Sequence, residues 1–186
     1  MRVIAGSARR ISLVAPPGEA TRPTADRIKE TLFNVLQDEI SGCRFLDLFA
    51  GSGGIGIEAL SRGAREAAFV ERDKKALLCI RENLMKTHLK SQATVYPQDY
   101  TVALRQLNRI GEPFDIIYAD PPYQNGYEPE IMRLLTEEGA ADHHTLIILE
   151  CSLTTATNFA DSRLFEIERI KTYKTTRHIF IRKRRG

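Results

Sequence analysis

The chain lacks any apolar run approaching the length needed to cross a bilayer. Its opening residues, Met1-Arg-Val-Ile-Ala-Gly6, lack the long apolar stretch of a secretory leader. A cytoplasmic protein with no membrane partner is therefore expected. Cysteine is scarce: Cys43, Cys79 and Cys151 lie far apart and form no Cys-x-x-Cys pair. An odd, scattered set argues against a disulfide frame and a zinc site, and reads as free thiols in a reducing compartment. No metal is expected. Internal repeats, low-complexity segments and linkers are also missing. What is present is ordinary for a globular chain: 186 residues, 42% hydrophobic and 27% charged. That length suits one domain with a sizeable core, and a monomer is expected.

The net charge of +3 conceals an asymmetry. Residues 1–29 carry six Lys/Arg against two Asp/Glu, and residues 163–186 carry nine against two. The stretch between them has twelve against twenty. If the two ends meet on one face, they form a basic surface suited to a phosphate backbone. The plain alternative for Arg182-Lys-Arg-Arg185 is a solvated tail.

The chain is organised around Phe45-Leu-Asp-Leu-Phe-Ala-Gly-Ser-Gly-Gly-Ile-Gly56. An apolar run reads as a buried strand, a glycine turn follows, and a helical pattern begins at Ile55. Strand, glycine turn and helix bring backbone close to a nucleotide-like ligand. Gly51-x-Gly53-x-x-Gly56 fits a dinucleotide fingerprint, with Glu71 near the place of a ribose-binding acid. The turn alone thus permits a nicotinamide enzyme. Asp47 shifts the balance. A carboxylate inside an apolar strand is costly without a partner. A cationic ligand would supply one, and S-adenosylmethionine (SAM) carries both an ammonium and a sulfonium.

Taken in order, residues 2–5 and 10–14 read as a small hairpin around a loop, and 15–23 as a Pro- and Gly-rich loop. A helix is expected from Thr24, a suitable N-cap, with Ile28, Leu32, Val35, Leu36 and Ile40 facing the core. Arg27, Lys29 and Glu30 lie off that stripe and are expected in solvent. Strands are expected at 66–71, 93–96, 114–119 and 145–151, and helices at 74–89, 102–110 and 127–138. On the 74–89 helix, His88 is expected as a partly buried neighbour of Leu77, Ile80 and Leu84. Segments 164–172 and 175–182 alternate and are too close for a crossover, so they read as an antiparallel hairpin. The alternation predicts an α/β fold with a mostly parallel seven-stranded sheet.

Asp120-Pro-Pro-Tyr123 follows the 114–119 strand directly. Ligands of doubly wound sheets bind beyond the carboxyl ends of the strands. Gly51 to Gly53, Glu71, Asp99 and Asp120 should then share one rim. Glu71 suits a ribose diol and Asp99 an adenine amine. Asp120 and the Pro121 carbonyl offer two acceptors to one exocyclic amine, and Tyr123 offers a flat face for a base. Acceptors of that kind favour the charge that builds on an attacking amine nitrogen.

With these motifs the sequence resembles the class I SAM-dependent methyltransferases, of Rossmann-like fold. It is more closely similar to the RsmD family of 16S rRNA guanine-N2 methyltransferases. Arg2-Val-Ile-Ala-Gly6, Arg22-Pro-Thr24 and Asp26-Arg-Ile-Lys-Glu-Thr-Leu-Phe-Asn34 carry that closer likeness. The resemblance implies SAM as donor and a guanine of 16S rRNA, in a small ribosomal subunit or its assembly intermediate, as acceptor. It implies cofactor binding at Asp47, Phe49, Gly51, Ser52, Gly53, Glu71, Arg72, Asp99 and Tyr100. It implies catalytic roles for Asp120, Pro121, Pro122 and Tyr123. RNA contacts are expected at Arg9, Arg10, Arg22, Thr24 and Arg27, with 1–23 as an RNA-contacting extension of a single domain. Asp-Pro-Pro-Tyr also resembles the motif of adenine-N6 methyltransferases, so the motif does not choose the base. A non-catalytic RNA-binding assembly factor and a nicotinamide oxidoreductase are the readings from other classes.

Overall fold

A computed structural model describes residues 1–16, 23–122, 126–137, 139–161 and 163–185, with 23–25 as backbone only. The chain forms two compact units, Met1–Asp99 and Tyr100–Gly186. The first unit contains α1 (Pro23–Val35), β1 (Arg44–Leu48), α2 (Gly54–Ser61), β2 (Glu66–Glu71), α3 (Lys74–Lys86) and β3 (Ala93–Pro97). Its strands run parallel in the order β3-β2-β1. The second contains α4 (Tyr100–Ile110), β4 (Ile116–Ala119), α5 (Glu128–Thr136), β5 (Leu146–Ser152), β6 (Phe165–Thr172) and β7 (Thr176–Lys183). Its strand order is β4-β5-β7-β6, with β4 and β5 parallel and the last two antiparallel. The seven-stranded, mostly parallel α/β fold with a closing hairpin is thus as expected.

The apolar runs explain the strands. All four residues of β4 are buried, as are Phe45 to Leu48 in β1. Strands covered on both faces read as continuous hydrophobic runs. Each fully buried Ile, such as Ile116, Ile147 or Ile181, contributes about 1.5–3 kcal/mol. β6, at the sheet edge, is largely exposed and carries an irregularity between Ile167 and Arg169.

Several readings differ in the structure. The N-terminal hairpin is a single antiparallel bridge, Arg2 to Ser12, flanked by Val3 N–H to Ile11 O at 3.0 Å. The amides that a longer ladder would use are taken by side chains of α2. Glu58 accepts from Ile4 and Ala5 at 2.8 and 3.0 Å, and Ser61 Oγ accepts from Ala8 at 3.0 Å. Lys29 is only 3% exposed, not solvated. Its ammonium lies 3.2 Å from Glu58 and donates to Arg2 O at 2.7 Å. Burial lowers the Lys29 pKa, with Glu58 acting the other way.

α3 ends at Lys86, and His88 is exposed with φ +59°. Its N–H donates to Met85 O and the Leu89 N–H to Leu84 O, both at 3.1 Å. That is a Schellman cap with His in the left-handed position usually held by Gly. The C-terminal basic run is no free tail. Arg182 pairs with Glu168 at 2.9 Å, Lys183 donates to Thr136 O at 2.9 Å, and Arg184 lies 3.3 Å from Glu166. α1 also begins at Pro23, one residue before the expected cap, as Pro in a first turn allows.

Candidate active site

In the first unit, β1 ends in a turn of unusual backbone. Phe49, Gly51 and Gly53 have φ of +64°, +55° and +79°, and Gly53 caps α2. Two carboxylates hold the turn. Glu71, at the end of β2, accepts the Gly51 amide at 2.8 Å through one oxygen. Its other oxygen accepts the Arg72 and Asp73 amides at 2.7 and 2.8 Å. A carboxylate retains further lone pairs beyond these three bonds. Asp47 is 2% exposed and accepts the Gly56 amide at 2.8 Å. Its partner in this chain is therefore the first turn of α2. Its carboxyl is pushed up to about 7 by burial first, with the Gly56 bond opposing and the Glu71 charge adding.

The glycines divide by what surrounds them. A Cβ at Gly56 would lie 2.4 Å from the Phe69 ring, so this glycine lets helix and strand close together. A Cβ at Gly51 would meet nothing within 4 Å, which leaves that backbone open to a ligand. Ser52 is buried, and its carbonyl accepts from Asn83 Nδ2 at 2.9 Å. Arg72 and Asp99 form an ion pair at 3.1 Å. The structure therefore brings Asp47, Gly51, Gly53, Glu71, Arg72 and Asp99 around the ends of β1, β2 and β3. The open Gly51 backbone and the acceptors of Glu71 fit a nucleoside with a ribose diol.

In the second unit, Asp120 follows β4 directly, exposed, with Pro121 buried and Pro122 exposed. Tyr100 opens α4, is buried, and meets Tyr127 edge-on at 5.7 Å. Tyr123 and Arg22 lie outside the described residues, and for Thr24 the structure gives only a place in the first turn of α1. Arg9, Arg10 and Arg27 are exposed. No group of three or more possible metal ligands occurs among the described residues. None of the described helices is long and apolar enough to cross a membrane.

Sequence reasoning missed Asn83 and Glu58. Asn83 is fully buried, accepts the Val14 amide at 2.7 Å, and donates to Val14 O at 2.8 Å as well as to Ser52 O. It thereby braces the glycine turn. Its signal was a polar residue inside the buried stripe of α3. Glu58 was likewise the one acid of the apolar α2 segment.

Comparison with known proteins follows the same lines. Residues 1–182 match the family described as Conserved hypothetical protein 95. YlbH of Bacillus subtilis is 42% identical over 150 residues, covering 81% of this chain and 82% of its own length. Ribosomal RNA small subunit methyltransferase D of Escherichia coli is 36% identical over 150 residues, covering 81% and 74%. The solved structure of YhhF from Escherichia coli has a TM-score of 0.84 and 31% identity, covering 100% of this chain and 99% of that one. The glycine turn, its acidic braces and these likenesses agree: the chain belongs to the Conserved hypothetical protein 95 family, which is the RsmD family of rRNA methyltransferases.

Proposed function

We propose that this protein transfers a methyl group from SAM to the exocyclic N2 of a guanine in small-subunit rRNA, in the cytoplasm and during subunit assembly. Asp120-Pro-Pro at the exit of the buried strand β4 carries this reading. Family membership supports SAM-dependent rRNA methylation. SAM supplies an electrophilic methyl on a sulfonium and leaves as S-adenosylhomocysteine (SAH).

The chain's own residues would do the rest. Asp47, Phe49, Gly51, Ser52, Gly53, Glu71, Arg72, Asp99 and Tyr100 are the proposed cofactor residues. Glu71 accepts the ribose hydroxyls while bracing Gly51, and Asp99 accepts from the adenine amine. Asp120 and the Pro121 carbonyl accept both protons of the guanine amine. They favour the positive charge that grows on nitrogen as its lone pair forms the new N–C bond and the C–S bond breaks. One of those protons then leaves to solvent. Pro122 stiffens the turn, and Tyr123 stacks on the base. Alignment of nitrogen, methyl carbon and sulfur supplies much of the remaining rate.

A base inside folded RNA must leave its stack to reach such a site. Arg9, Arg10, Arg22, Thr24 and Arg27 are the proposed phosphate contacts, which position RNA without reading sequence.

The test is methyl transfer from labelled SAM to small subunits from an unmethylated strain, to naked rRNA and to duplex DNA, with the product nucleosides identified by mass. N2-methylguanosine from subunits, abolished by Asp120→Ala, is the expected result. N6-methyladenine as the only product would replace guanine with adenine. No product on any substrate would sink the reading.

A further inference from the structure

The outer face of α3 carries charges that the scheme above does not use. Residues 74–90 hold five of the twelve Lys/Arg in the acidic stretch 30–162, but only one of its twenty Asp/Glu. Ala76, Leu77, Ile80, Asn83 and Leu84 are buried and form the core side of the helix. Lys74, Leu78, Arg81 and Met85 are exposed, and their spacing of four, three and four sets them in one line along it. Lys75 and Lys86 are exposed beside that line, and Lys90 follows in the single turn Lys90–Gln92. None of these five cationic side chains has a hydrogen bond or ion pair with a described residue. The neighbouring acid Asp73 is engaged by the helix cap, where it accepts the Lys75 and Ala76 amides at 2.9 Å.

Two features set this face apart from a plain solvated one. Lys74 and Lys75 stand in the first turn of α3, which holds no acid, although the helix dipole disfavours cations there. Leu78 and Met85 are 64% and 63% exposed, more than any other large apolar side chain among the described residues. They lie two turns apart, with Arg81 between them. The chain thus gives up helix stability and apolar burial on one face, with no compensating contact within itself. Local rules broken together in this way mark a surface that meets something else. Its charge and shape indicate what. Lys74, Arg81 and Lys86 are spaced about 10 and 8 Å along the helix axis. A small anion would meet one of them, whereas a nucleic-acid strand repeats its negative charge at short intervals along such a line.

We infer that the outer face of α3 is a second RNA surface, which holds several phosphates of the substrate rRNA apart from the flipped nucleotide, with Leu78 and Met85 against its sugars. This rests on the rRNA substrate proposed above and adds a place where that RNA is gripped. The opposite face of the same helix braces the glycine turn through Asn83, so the two roles are separable by mutation.

The experiment is filter binding of the full chain to naked small-subunit rRNA over a series of salt concentrations. Lys74→Gln, Arg81→Gln and Lys86→Gln combined should lower the slope of log affinity against log salt by about 2–3. Leu78→Ser with Met85→Ser should weaken binding several-fold and leave the slope unchanged. SAH affinity by calorimetry should equal wild type in both variants. An unchanged slope in the triple variant would overturn the inference. A parallel loss of SAH affinity would assign the effect to the buried face of α3 and overturn it too. A normal slope on naked rRNA with binding to intact small subunits lost would put a protein on this face instead of RNA. Methyl transfer is not the readout, so the guanine assignment can fail and leave this surface standing. Absence of salt-dependent binding by the wild type would overturn the rRNA reading and this one together.

Discussion

Asp47 gives the first unit a pH dependence that a surface carboxylate would not. Its pKa rises from 3.8 to about 7 because burial disfavours the charge. Between those values the folded protein keeps a proton that the unfolded chain has released. Stability from this group is fully present below about pH 4, falls as pH rises, and is gone above about 7. Asp47→Asn keeps an acceptor for the Gly56 amide and cannot ionise. Its thermal midpoint should therefore gain on wild type as pH rises from 4 to 7, by up to the order of 4 kcal/mol in stability. Parallel curves across that range would show that Asp47 does not titrate there. The glycines give a second contrast. Gly56→Ala drives a methyl into the Phe69 ring and should cost about 1–3 kcal/mol in denaturant unfolding. Gly51→Ala meets no atom, so its folded structure should survive the left-handed strain of about 1–2 kcal/mol. SAH titration should show the larger loss in Gly51→Ala than in Gly56→Ala, relative to each variant's stability. The reverse ranking would remove Gly51 from the cofactor surface.

The elements show where local chemistry sets a boundary. α3 stops because His88 turns left-handed and its cap bonds close on Leu84 and Met85. Glycine suits that conformation better than histidine. His88→Gly should raise the thermal midpoint by roughly 1–3 °C, measured by calorimetry; a fall would mean that the His side chain contributes a contact. The strands and helices were legible from apolar runs and spacing, because burial on both faces leaves little room for another pattern. The N-terminal hairpin was not. Its strand signal was sound, but Glu58 and Ser61 sit more than 50 residues away in sequence and compete for its amides. Lys29 was misread for the same reason: nothing local tells that a distant acid will pair with it. Of the candidate site, the glycine turn, Glu71 and Asp99 were visible as residue types at strand ends. The actual partner of Asp47, a helix amide, needed the fold. Asn83 was visible only as a polar residue in the buried stripe of α3, and its bonds to Val14 and Ser52 needed the fold.

At the scale of the whole molecule, charge is the main variable. The first 29 residues and the last 24 hold the positive excess, yet three of the last four arginines and lysines of β7 and its exit already have protein acceptors. The N-terminal arginines Arg9 and Arg10 are exposed. Phosphate binding should thus depend more on them. Arg9→Glu with Arg10→Glu should reduce the slope of log affinity against log salt by about 1–2 in filter binding to rRNA. An unchanged slope would remove that segment from the RNA surface. A last consequence follows from the three buried thiols, Cys43, Cys79 and Cys151. The native chain offers an alkylating reagent no exposed sulfur among them. Two of the sulfurs report on the first unit and one on the second. Brief pulses of iodoacetamide, read peptide by peptide in a mass spectrometer, would time the opening of each half separately. The sequence thus carries its own clocks, with no label to be engineered into either part.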